Sequence, residues 1–283
     1  PRAAARGLRP VHGVSRARGV PYGRGSLSQE KLAIGRGFLA RGARYGLRCD
    51  IAWSEADRIY GESWNRFLSS CRATLGTESG ASIADFDGSI EQQVREYLRG
   101  RPNASFDEVH ERVLEPYEGN VTINVISPRI LEAAALGTGL VLFPGEYSGA
   151  VRPWETYIPL EKDFSNMDEV VEAIRDVRGL KRMVEQTHEE LVASGAYVAV
   201  ATHDRRLVDE SLRLFQRHTL PPDRYEFQML LGVTEDGRDE PGSQGHRMRV
   251  YVPFGEAWYG YSVRRLKENP SIAGHVARDV VRS

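Results

Sequence analysis

Cysteine is scarce in this chain: Cys49 and Cys71 are the two it has in 283 residues. No CxxC pair and no His/Cys spacing of a metal site occurs. That excludes a disulfide framework and a zinc module, and it points to a reducing compartment. Long apolar runs are also missing. Without 18 consecutive apolar residues or a signal-peptide core, nothing predicts a membrane span, and a cytoplasmic location is the expectation. Nor does one sign of charge dominate: the net charge is -1, so no nucleic-acid partner is expected. The imbalance is local, because positions 1 to 49 hold ten Arg and Lys31 against Glu30 alone, a basic stretch that could touch nucleic acid or anionic lipid but more often is a frayed terminus or a solvated helix face. Residues 1 to 25 lack periodicity and read as a basic disordered lead. The first residue is Pro1 rather than Met, which suggests a fragment or a processed product.

The rest is ordinary globular sequence, 41% hydrophobic and 27% charged, with length for one or two domains. Helix is expected from Ser26 or Ser28, a short strand at CDIAW, and an amphipathic helix over Glu62 to Cys71 with Trp64, Phe67 and Leu68 on one side. Ile90 to Leu98 and Phe106 to Leu114 read as further helices, the second opened by a capping box of Ser105 and Glu108. YIPL is a strand, Ser165 caps MDEVVEAIRD, and Gly179 to Ser194 is a helix ending at Gly195. Alternating strand and helix implies an α/β fold with a mostly parallel sheet.

The central stretch is Val121 to Gly149. An apolar run, a helix opened by Ser127 and Pro128, and a second apolar run predict a strand-helix-strand crossover between parallel strands. A helix N-terminus at Ser127, Pro128 and Arg129 would seat a phosphate, and Glu132 one turn further could accept two ribose hydroxyls or simply be solvated. The loop Gly76 to Ser82 offers small residues and hydroxyls at Thr77, Ser79 and Ser82, suited to an anion or to an ordinary turn. No GK[ST] follows, so it is not a Walker A loop.

Residues SPRILEAAALGT, FPGEYSG, YIPLEKDFSN and GTESGAS make the span from Tyr22 to Tyr197 resemble the nucleotide-sugar-binding half of a GT-B glycosyltransferase. The resemblance implies a Rossmann-like half-domain over 26–195. It also implies a nucleotide-sugar donor bound by Gly76, Thr77, Glu78, Ser79, Ser127, Arg129 and Glu132, with Glu132 on the ribose. Asn124 stands where many retaining members carry a second glutamate.

After residue 195 the motifs change. YVAVATHD, YEFQMLLG and MRVYVPFG read as strands, Arg205 to Arg217 and Ala257 to Asn269 as helices. Arg264 and Arg265 lie about 100° apart on their helix, able to flank one carboxylate, and Glu268 follows at i+4 and i+3. ATHD, EFQMLLG, RVYVPFG and WYGYSVRRLKENP make 196–283 resemble the last part of a proline dehydrogenase. The resemblance implies that Tyr251, Tyr261, Arg264, Arg265 and Glu268 line a proline site while Thr202, His203 and Gln228 lie against FAD. The implied reaction is hydride transfer from L-proline to the flavin, giving 1-pyrroline-5-carboxylate.

A (β/α)8 barrel needs about 250 residues, whereas 88 follow position 195. The expectation is therefore an incomplete, three-strand barrel piece behind a glycosyltransferase-like half, two fused enzyme fragments joined near LVASGAY. Association through uncovered barrel edges, or a misjoined and inactive chain, is the remaining expectation.

Overall fold

The computed structural model describes residues 11–17, 19–59, 61–193, 197–201, 205–217, 219–230, 242 and 244–252. The chain divides into two compact units, Pro1–Ser194 and Gly195–Ser283.

The first unit is built on β1 (Val11–Arg16), α1 (Ser26–Gly42), β2 (Cys49–Ala52), α2 (Gly61–Ser69) and β3 (Cys71–Gly76). Next come β4 (Ser79–Ala81), α3 (Ser89–Gly100), α4 (Phe106–Val109), β5 (Ile123–Val125), α5 (Pro128–Ala135), β6 (Gly139–Leu142), β7 (Ile158–Pro159), α6 (Met167–Arg175) and α7 (Val177–His188). Five strands form one parallel sheet in the order β2-β1-β3-β6-β7. Helices cover both faces. Ile34 and Phe38 of α1 pack with Leu75, Val141 and the α6 residues Val170 and Ile174 on one side. Leu68 of α2 packs with Val14, and Ile130 and Ala133 of α5 pack with Leu140 and Leu142, on the other. The pieces α3 and α4 bury Ile90, Val94 and Val109 in a separate cluster.

Four expectations change. The basic lead is not unstructured across 11–16: β1 lies between β2 and β3, with Val14 paired to both Asp50 and Thr74. Its sequence VHGVSR carries little apolar signal, because neighbours from distant parts of the chain supply the pairing. Cys71 opens β3 rather than ending a helix, since α2 stops at Ser69.

The predicted crossover in the central stretch is likewise absent. β6 joins the main sheet, but β5 pairs antiparallel with β4 in a separate two-stranded ribbon, Gly80 opposite Asn124. Ile123 and Val125 are 48% and 47% exposed, so β5 lacks the two-sided burial of a parallel strand. Gly80 permits the ribbon: a Cβ there would lie 1.6 Å from the Ile123 carbonyl oxygen. Helix caps also shift by a residue or two. Asn166 rather than Ser165 precedes α6, and Asp176 accepts from the Arg178 amide at the start of α7. Ser105 does cap α4, accepting from the Glu108 amide at 3.2 Å.

The second unit holds β8 (Val198–Ala201), α8 (Arg205–Arg217), β9 (Tyr225–Leu230) and β10 (Met248–Tyr251). These strands form a parallel sheet in the order β10-β9-β8. Tyr225, Phe227 and Met229 alternate toward α8, where Val208, Leu212 and Phe215 meet them. Among the described residues, no helix in either unit is long and apolar enough to cross a membrane.

Candidate functional site

In the first unit the connection after β1 runs to one side of the sheet and those after β3 run to the other. Such a reversal leaves a crevice at the strands' carboxyl ends. A cleft of about 1310 Å³ opens there, lined by Ser15 and Arg16 at the end of β1 and by Thr74, Gly76 and Thr77 at the end of β3. Among the described lining residues, Arg16, Arg24, Lys31, Arg58 and Arg129 are cationic and Glu132 is the acid. A wall of that composition favours an anionic ligand.

The cleft gathers six of the seven residues predicted for a nucleotide sugar: Gly76, Thr77, Ser79, Ser127, Arg129 and Glu132. Glu78 turns away. Its buried carboxylate accepts the Tyr147 amide at 2.8 Å and the Asn124 side-chain amide at 3.3 Å, and it lies so close to Gly145 that a Cβ there would meet it at 2.8 Å. Glu78 therefore ties the ribbon to the turn after β6. Ser127 stands at the N-cap position of α5 without a side-chain capping bond, and Pro128 follows at the first helical position.

Sequence reasoning placed Trp64 in the packing face of α2 and missed its second role. The Trp64 indole Nε1 donates to Glu132 Oε2 at 2.7 Å, and the Arg129 guanidinium sits 5.5 Å from the centre of the same ring. Arg129 also donates through Nη1 to the Arg16 carbonyl oxygen, while the Arg16 guanidinium lies 4.4 Å over Phe67. Two rings of α2 thus hold the polar side chains of α5 and β1.

In the second unit the sheet face opposite α8 carries Ala199 and Ala201 of β8, Glu226 and Gln228 of β9, and Arg249 and Tyr251 of β10. Glu226 is the hub. Its carboxylate takes Arg249 Nε at 2.7 Å and Nη2 at 3.0 Å, Gln228 Nε2 at 2.7 Å and the Tyr197 hydroxyl at 3.1 Å. Arg249's hydrogen bonds, then Gln228's, pull the Glu226 carboxyl down to about 2 against the opposing effect of desolvation. Tyr251 is the last residue of β10, 54% exposed at the carboxyl end of the sheet. Of the residues predicted for proline and FAD, Tyr251 and Gln228 are on this face; Thr202, His203, Tyr261, Arg264, Arg265 and Glu268 lie outside the described residues. The helix expected over Ala257 to Asn269 lies outside them too.

The proline dehydrogenase family model matches residues 178–278. The match begins within α7, whose Leu180 is buried in the first unit and whose Thr187 hydroxyl donates to the Thr156 carbonyl at 2.7 Å. A proline dehydrogenase of Deinococcus radiodurans is 34% identical over 155 residues, covering 50% of this chain and 50% of that protein. Proline dehydrogenase 2 of Bacillus subtilis (strain 168) is 35% identical over 126 residues, 39% of this chain and 42% of its own length. Proline dehydrogenase 1 of Bacillus subtilis subsp. natto is 36% identical over 110 residues, 39% of this chain and 36% of its own length. The chain thus spans half or less of the length of these relatives.

Proposed function

We propose that the chain from Tyr197 onward serves FAD-dependent oxidation of L-proline to 1-pyrroline-5-carboxylate. The observation that carries this reading is the polar face of the β8–β10 sheet, which lies inside the segment matched by the proline dehydrogenase family. A flat cofactor needs a face free of bulk beside hydrogen-bonding groups. Ala199 and Ala201 provide the first and Gln228, in register with Ala201, the second.

Bound FAD would supply the hydride acceptor. The chain's own residues bind and orient. Gln228 is held by its bond to Glu226, so its side-chain amide presents a fixed edge. Tyr251 would close the substrate end, and Arg264 and Arg265, with Glu268 to orient them and Tyr261 beside them, would pair with the proline carboxylate. Thr202 and His203 would contact the cofactor. The test is the visible spectrum of the full chain after incubation with FAD and removal of free cofactor. A retained flavin band that bleaches with proline supports the reading, and a colourless protein overturns it. Association through the outer strands β8 and β10 belongs to the same proposal and would appear as a concentration-dependent size in sedimentation.

The first unit supports a second reading, binding of a nucleotide-sugar donor for glycosyl transfer in a Rossmann-like half-domain. What favours it is the cationic cleft at the point where strand order reverses, with Glu132 among its lining residues. Calorimetric titration with uridine 5′-diphosphate, alongside the adenosine and guanosine forms, tests it; absence of binding by all three removes it.

A further inference from the structure

Trp64 and Glu132 are 68 positions apart, and their contact couples two helices on the same side of the sheet. Glu132 Oε2 is engaged by an indole N–H at 2.7 Å. Indole is a donor only, on a rigid ring, so the bond holds Oε2 in place and restrains the orientation of the carboxylate. The ring is itself held, tilted 31° to Phe67 at 5.7 Å and flanked by the Arg129 guanidinium. A carboxylate offers about four acceptor directions, and one is used. The other oxygen, Oε1, keeps its acceptor directions for a ligand in the cleft that Trp64, Arg129 and Glu132 all line.

We propose that Trp64 is a positioning residue: it orients Glu132 to accept ribose hydroxyls, so the cleft selects ribonucleoside over 2′-deoxyribonucleoside diphosphates. The inference rests on the nucleotide-sugar reading of this cleft. It adds the selectivity and the residue that enforces it. Arg129 lies one helical turn before Glu132 on α5 and rests against the same ring. The indole therefore sets the separation between a phosphate-binding cation and a ribose-binding carboxylate.

The experiment titrates the full chain and its Trp64→Phe variant with adenosine, guanosine and uridine 5′-diphosphates and with their 2′-deoxy forms. Phenylalanine keeps the aromatic ring beside Arg129 and removes the N–H. The unaltered chain should prefer the ribose form of its best ligand by roughly ten-fold, the worth of one charge-assisted hydrogen bond. Trp64→Phe should bring that ratio close to one, and an unchanged circular dichroism spectrum and unfolding midpoint report that the variant is folded. Equal affinity of the unaltered chain for both forms, or an unchanged ratio in Trp64→Phe, overturns the inference and leaves diphosphate binding standing. No binding of any nucleotide by the unaltered chain overturns both. As a measurement without substitution, the Trp64 Nε1–H resonance in ¹⁵N-labelled chain should shift more with the ribose ligand than with its deoxy form. An equal shift counts against the proposal.

Discussion

Arg249 grips Glu226 with two prongs, Nε on one carboxylate oxygen at 2.7 Å and Nη2 on the other at 3.0 Å. The Glu226 side chain is 3% exposed and that of Arg249 66%, so the anion is enclosed while its partner reaches solvent. The acid dependence of the second unit follows from this asymmetry. Glu226 titrates near 2 in the folded chain against 4.5 for an ordinary glutamate, so between those values the unfolded chain binds more protons. Its stabilising contribution is complete above about pH 4.5 and is lost as pH falls toward 2. Urea midpoints at pH 6, 4 and 3, followed by circular dichroism, should fall steeply. Glu226→Gln should start lower and show a flatter decline.

Removing the cation should be worse than removing the anion. Arg249→Met leaves a buried carboxylate without its cation, whereas Glu226→Gln leaves an exposed guanidinium that water can solvate. Arg249→Lys should fall between Met and the unaltered chain, because an ammonium supplies charge without the planar fork. Thermal midpoints of the three variants at pH 7 give the order; Arg249→Met more stable than Glu226→Gln would sink the argument.

Gly80→Ala should break the β4–β5 ribbon. Its Cβ would fall 1.6 Å from a backbone oxygen, which cannot rotate aside as a side chain can. A loss of about 1–3 kcal/mol or more is expected from forced overpacking, readable in denaturant unfolding. Because Ile123 and Val125 of this ribbon line the cleft, nucleotide affinity should weaken in the same variant.

Tyr147→Phe removes a buried hydroxyl that donates to the Phe143 carbonyl at 2.6 Å. The carbonyl loses a partner inside the protein, so the cost should be about 1–3 kcal/mol. Tyr147 sits in the turn that Glu78 holds through its backbone amide. A double-mutant cycle with Glu78→Gln should therefore show coupling, and simple additivity would mean that the two contacts act independently.

The parts that could be read directly from residue order are those whose signal is local. The helical runs from Ile90 and over MDEVVEAIRD mark α3 and α6, the Ser105 and Glu108 pair marks the start of α4, and the strand-like run YEFQMLLG marks β9. In each case the physical cause acts within a few residues: helical turn, pleat or cap.

Tertiary structure decided what depends on distant partners. VHGVSR becomes a central strand because β2 and β3 flank it, and nothing in its six residues announces those neighbours. The apolar run before Ser127 becomes an exposed ribbon because Gly80 lets β4 approach it. Glu78 leaves the cleft because a backbone amide 69 positions away satisfies its buried carboxylate. Trp64 joins the site for the same reason, its indole bond spanning 68 positions. Periodicity reports which side of an element is buried; it carries no record of what buries it, and the contacts that shape both sites are of that second kind.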